Sequence, residues 1–190
     1  MPKSLVINSP YRKPLKHWKF SEEGEPHQII HERRSAGYVV SDPKATEPYQ
    51  DMGVPIELPL VNKIRQRVDK WRVDGYPGIT GVTKALLEHW QDKEQRKRRL
   101  FFCQIEAIET LIWLVETPDS EKTGIDIEGD GGSFRRLCSK LATGTGKTVV
   151  MAMLIAWQVC GGRLRHHHAG PLTQGPRDGM RRGAATLPQN

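Results

Sequence analysis

With 190 residues and a mass of 21.5 kDa, the chain has the length of one ordinary domain and is too short for most two-domain motor enzymes. Apolar residues supply 37% of it, against a typical share of about 45 to 50%, so the core is lean and part of the chain is expected to remain unfolded. The longest apolar run, Val149 to Trp157, falls well short of the roughly 20 residues that cross a bilayer, and Met1 to Ser4 leads into no secretory core. No membrane partner is expected, and the cytoplasm is the expected location. Cys103, Cys138 and Cys160, an odd number without close pairing, exclude a disulfide framework and a zinc ribbon and read as reduced core thiols.

The formal net charge of +7 is unevenly spread. Arg163, Arg165, Arg177, Arg181 and Arg182 lie past Cys160 against the single acid Asp178, so the last thirty residues carry +4 of it and the rest of the chain only +3. Within the body the one dense cluster is Lys93-Glu94-Gln95-Arg96-Lys97-Arg98-Arg99. It reads as the solvated face of a helix, or else as a patch that meets nucleic-acid phosphates through charge-assisted contacts and counterion release.

Residues 1–56 form the lead-in. Prolines at 2, 10, 14, 26, 43, 48 and 55 can neither donate to a strand ladder nor continue a helix, so an irregular segment is expected, with short strands only at Leu5 to Asn8 and Gly37 to Val40. From there Leu60, Ile64, Val68 and Trp71 make the stripe of an amphipathic helix that ends near Asp74-Gly75-Tyr76-Pro77-Gly78. Thr80 is an N-cap for a second helix through Val82, Leu86 and Trp90. A third spans Gln104 to Glu116 with Ile105, Ile108, Leu111, Ile112 and Val115 on its apolar side, and Thr117-Pro118-Asp119-Ser120 stops it. After a loop rich in Gly and Asp, Ser133 to Leu141 reads as a strand. Val149 to Cys160 reads as a helix, apolar everywhere but Gln158 and so expected to be buried on nearly all sides.

Three metal-like patterns fail on their chemistry. His27-Gln28-Ile29-Ile30-His31 has the histidine spacing of a zinc protease but Gln28 where the base must be. Asp126 to Gly131 opens like a calcium loop, yet Leu137 stands where the bidentate carboxylate belongs. His166-His167-His168 defines no closed geometry.

Between the expected strand and the last helix lies Leu141-Ala142-Thr143-Gly144-Thr145-Gly146-Lys147-Thr148. A strand, a glycine-bearing turn and a helix in that order make the setting of a phosphate loop. Gly144 and Gly146 permit backbone conformations closed to other residues. Amides from Thr143 to Thr148 can then approach phosphate oxygens at the positive end of the following helix. Lys147 would reach the β and γ phosphates, and the Thr148 hydroxyl would ligate Mg²⁺, so ATP and Mg²⁺ are the expected cofactors. The general pattern asks for glycine at the first position and finds Leu141.

These residues resemble motif I of superfamily 2 helicases, in which the first glycine is often replaced, and specifically the helicase part of type III restriction endonuclease subunits. Phe101-Phe102-Cys103-Gln104-Ile105-Glu106-Ala107 resembles the glutamine motif that precedes motif I in that group, with Gln104 at the adenine-reading position. An amide can pair with adenine N6 and N7, while Phe101 and Phe102 either stack on a base or belong to the core. Ile7-Asn8-Ser9-Pro10-Tyr11, Pro14 and His17-Trp18 are similar to the opening of the same family. The resemblance implies an α/β fold, an incomplete RecA-like P-loop NTPase domain. It would occupy the end of a helical region at 57–160, after the irregular lead-in; the tail at 161–190, which the resemblance does not reach, is expected to be disordered on its composition alone. The resemblance also implies DNA as substrate and a modification methyltransferase subunit as partner, with Lys147 and Thr148 serving phosphoryl transfer.

Hydrolysis needs an acid to hold Mg²⁺ and position water, and helicases add arginines from a second lobe; neither follows Thr148. Past Cys160 the chain has no Ile, Val, Phe, Tyr, Trp, Lys or Glu, but six Gly and three Pro, which suggests a frameshifted or truncated end. The expectation is therefore an ATP-binding fragment with little hydrolysis of its own. The alternative is a non-catalytic nucleic-acid-binding fragment that uses Arg96 to Arg99 and the basic tail.

Overall fold

The computed structural model describes residues 5–21, 24–41, 53–94, 96–129, 131–132 and 136–161. Its first helix, α1 (Pro59–Val73), starts on a proline, whose fixed φ and missing N–H suit that position, and carries Lys70 and Arg72 in its negative last turn. Ile64, Val68 and Trp71 of the expected stripe are buried, whereas Leu60 faces solvent. The turn after α1 runs through left-handed backbone at Gly75, Tyr76 and Gly78. Tyr76 tolerates a positive φ because its ring meets Trp71 edge-on at 4.8 Å and its hydroxyl is bonded to Glu109.

Helix α2 (Gly81–Gln91) starts as expected: the Thr80 hydroxyl accepts from the Thr83 N–H at 3.2 Å. Its buried face is Thr83, Leu87 and Trp90, one position on from the expected Val82 and Leu86; Val82 is exposed. Helix α3 (Phe102–Glu116) begins two residues before Gln104 and packs against α1, α2 and the last helix, α4 (Lys147–Cys160). Ile105, Ile108 and Ile112 are buried, as the pattern requires, but Val115 is exposed. A short 3₁₀ turn, Asp119–Lys122, follows α3. Leu87, Ile108 and Ile112 are fully enclosed, each contributing about 1.5–3 kcal/mol relative to exposure, and with Trp71, Trp113 and Trp157 they form the centre of the core.

Two expectations about the lead-in and one about α4 need correction. The lead-in is not irregular throughout. β1 (His17–Phe20) pairs antiparallel with β2 (Pro26–Ile30), and β3 (Gly37–Val40) with β4 (Val54–Glu57). Pro55 sits opposite Val39, and Pro26 opposite Phe20 at an irregular end. Both are tolerated because a two-stranded ribbon is all edge, where a missing N–H leaves no neighbouring strand unpaired. Leu5 to Asn8, by contrast, forms no strand. Helix α4 buries Val150, Met153 and Trp157 against α2 and α3, but Met151 (61%), Ile155 (59%) and Val159 (56%) are exposed, since among the described residues α2 and α3 cover only one side.

The strand expected at Ser133 to Leu141 is absent from its described part. Residues 136–141 form no ladder although Leu137 touches the core, because an extended segment becomes a strand only beside another that satisfies its amides and carbonyls. Residues 133–135 lie outside the described set, as do Asp130, the histidines at 166–168 and the rest of the expected tail from residue 162. The architecture among the described residues is mixed α/β, four α-helices with two small antiparallel sheets. No described helix is long and apolar enough to cross a membrane. The three cysteines are free, but Cys138 and Cys160 are exposed and Cys103 is half-buried, so none is a core thiol.

Candidate phosphate-binding site

Residues 142–146 form a non-helical turn directly before α4. Gly144 and Gly146 both take φ of +78°, the left-handed region that disfavours any side chain, and the Gly146 carbonyl accepts the first helical bond from the Val149 N–H at 2.9 Å. A Cβ on Gly144 would meet nothing, so that glycine is required by backbone angle alone. One on Gly146 would collide with Gln104 Nε2, so that glycine is required by space as well. Thr145 closes the turn, its hydroxyl donating to the Ala142 carbonyl at 2.7 Å.

Helix α4 starts at Lys147 and Thr148, whose amides, like all those of a first turn, lack intrahelical acceptors. Both side chains are exposed, as is Thr143. Lys147 Nζ bends back to donate to the Ala142 carbonyl at 3.0 Å, placing the ammonium over the turn. The six loop residues proposed from sequence are thus contiguous around one turn, with donors and a cation suited to a polyphosphate and an accessible hydroxyl suited to a hard cation.

Gln104 also reaches this turn. It is 5% exposed; its Oε1 accepts from the Phe101 N–H at 2.9 Å and its Nε2 donates to the Thr145 carbonyl at 2.9 Å. Phe102, one of the two rings considered for base stacking, has the guanidinium groups of Arg33 and Arg72 each 5.5 Å from its centroid. Phe101 instead meets Tyr11, ring centroids 5.6 Å apart.

The Lys93 to Arg99 cluster is not a helix face. Among its described residues it forms the connection between α2 and α3, and Arg99 lies 4.5 Å above the Tyr11 ring. An open cleft of about 150 Å³ lies there, lined by Tyr11, Arg72, Lys93, Arg99 and Phe102 among others. Sequence reasoning missed the meeting of Tyr11 with Arg99. No local pattern signals it, since the two ends join through the Phe102 N–H donating to the Pro10 carbonyl at 2.8 Å.

A charged network anchors α3 below the site. Glu109 is fully buried. It receives Arg72 Nη2 at 2.5 Å, Arg72 Nε at 3.0 Å on each oxygen, and the Tyr76 hydroxyl at 2.6 Å. Burial, followed by the adjacent Glu109 charge, raises the Tyr76 hydroxyl above its ordinary value. Burial works against the Arg72 cation, but the bonds to Glu109 and Asp69 outweigh it and raise its pKa. For Asp69, burial pushes upward while hydrogen bonds from Lys13 and Arg72 win, leaving the carboxyl below its ordinary value. On the far side, Arg33 clasps both Glu106 oxygens. Among the described residues no group of three or more His, Cys, Asp or Glu is arranged to hold a metal ion. No family model, curated protein or solved structure matches the chain.

Proposed function

We propose that the 142–148 turn binds Mg-ATP, and that the chain is the ATP-binding N-terminal part of a DNA helicase or translocase subunit of the type III restriction class. The observation that carries the reading is the pair of left-handed glycines, 144 and 146, placed immediately before a helix whose first two residues are Lys147 and Thr148. Amides of the turn and of the helix start take the phosphates, Lys147 leaves the Ala142 carbonyl for the β and γ phosphates, and Thr148 ligates Mg²⁺. The larger frame is part of the same proposal: a RecA-like domain, DNA as substrate, a methyltransferase subunit as partner and a cytoplasmic location.

Calorimetric titration with Mg-ATP tests it. Lys147→Ala removes a charge-assisted contact of about 1.5–3 kcal/mol and is expected to weaken binding roughly 10- to 150-fold. Binding unchanged in that variant counts against the reading. A second reading has its own support: Lys97, Arg98 and Arg99 are exposed on a loop beside Tyr11, a setting for a nucleic-acid backbone. It requires DNA binding that falls steeply with salt and ignores both ATP and Lys147→Ala.

A further inference from the structure

We infer that Gln104 positions the phosphate loop instead of selecting the base, so that the site takes triphosphates with little regard to the nucleobase; this rests on the turn being a triphosphate site. Gln104 is buried, and both ends of its amide are engaged within the chain, Oε1 by the Phe101 N–H and Nε2 by the Thr145 carbonyl. A base read by this side chain would have to draw it away from the start of α3 and from the turn together. The bond to Thr145 has a directional consequence. The peptide joining Thr145 to Gly146 is planar and trans, so its carbonyl and its N–H point in opposite directions. Holding the Thr145 carbonyl toward α3 therefore turns the Gly146 N–H away from α3. Gly146 is built to this arrangement, because any Cβ there would strike Gln104 Nε2. The amide thus fixes the orientation of one loop donor before any ligand arrives, in the manner of a preorganised anion site.

The test uses the full chain, wild type and Gln104→Glu, titrated with inorganic tripolyphosphate, Mg-ATP and Mg-GTP. Glutamate keeps an acceptor for the Phe101 N–H but, when ionised, offers the Thr145 carbonyl no donor. The inference expects wild type to bind ATP and GTP within about threefold of each other. It expects Gln104→Glu to weaken all three ligands by one common factor of about 10, measured at a temperature where circular dichroism shows the variant still folded. The deficit should narrow as pH falls from about 8 to about 5, where a protonated carboxyl can donate again. A wild-type preference for ATP over GTP of 10-fold or more overturns the inference without any variant. So does a Gln104→Glu loss confined to ATP with tripolyphosphate binding unchanged. Wild type that binds none of the three overturns the loop reading itself, and the inference with it.

Discussion

Glu109→Leu is the most informative test of how α3 is held. The carboxylate is fully enclosed and takes two nitrogens of Arg72 and the Tyr76 hydroxyl. Removing one partner of a buried ion pair costs about 3–5 kcal/mol, because the other charge stays desolvated without compensation. Arg72 keeps Asp69 at 2.6 Å, and Tyr76 keeps the amide of Gln91 at 2.8 Å, so the lower part of that range applies, about 3–4 kcal/mol. For a chain of this size each kcal/mol shifts the melting temperature by about 2–4 °C, so a fall of roughly 6–16 °C is expected in thermal unfolding followed by circular dichroism. Pairing Glu109→Leu with Arg72→Met removes the stranded charge and should recover at least about 1 kcal/mol of the loss in urea unfolding. A single variant within about 1 kcal/mol of wild type, or a double variant less stable than the two single losses added, would refute the reasoning.

Gly146→Ala forces a side chain into left-handed backbone and against Gln104, costing about 1–2 kcal/mol in the loop conformation, and is expected to weaken Mg-ATP in calorimetry by roughly 5- to 30-fold. Gly144→Ala meets the same backbone strain in open space, so it should be the milder of the two; the reverse order would show that the Gln104 contact is unimportant. The depressed Asp69 carboxyl makes a signed prediction about acid. Its contribution to stability is complete above the unfolded carboxylate value near pH 4 and is lost as pH falls through the lower folded value. Urea midpoints measured from pH 7 down to 2 should therefore fall less steeply in Asp69→Asn than in wild type, and an unchanged slope would remove Asp69 from the acid response.

The helices and the turn before α4 were legible from the chain alone because local rules set them. The apolar spacing of Ile64, Val68 and Trp71, the cap at Thr80 and the glycines at 144 and 146 act within one or two turns of backbone. What lay beyond that range depended on partners distant in sequence. Among the described residues, β1 and β2 tolerate Pro26 because neither pairs with a third strand, 136–141 join no ladder, and α4 exposes Met151, Ile155 and Val159 because α2 and α3 cover a single side. The contact between Gln104 and the Thr145 carbonyl, 41 residues apart, belongs to the same class. Residue type announced an amide able to donate and accept; only the tertiary structure decided that its partners are the chain's own backbone, since a buried polar group must bond to whatever the fold brings within reach.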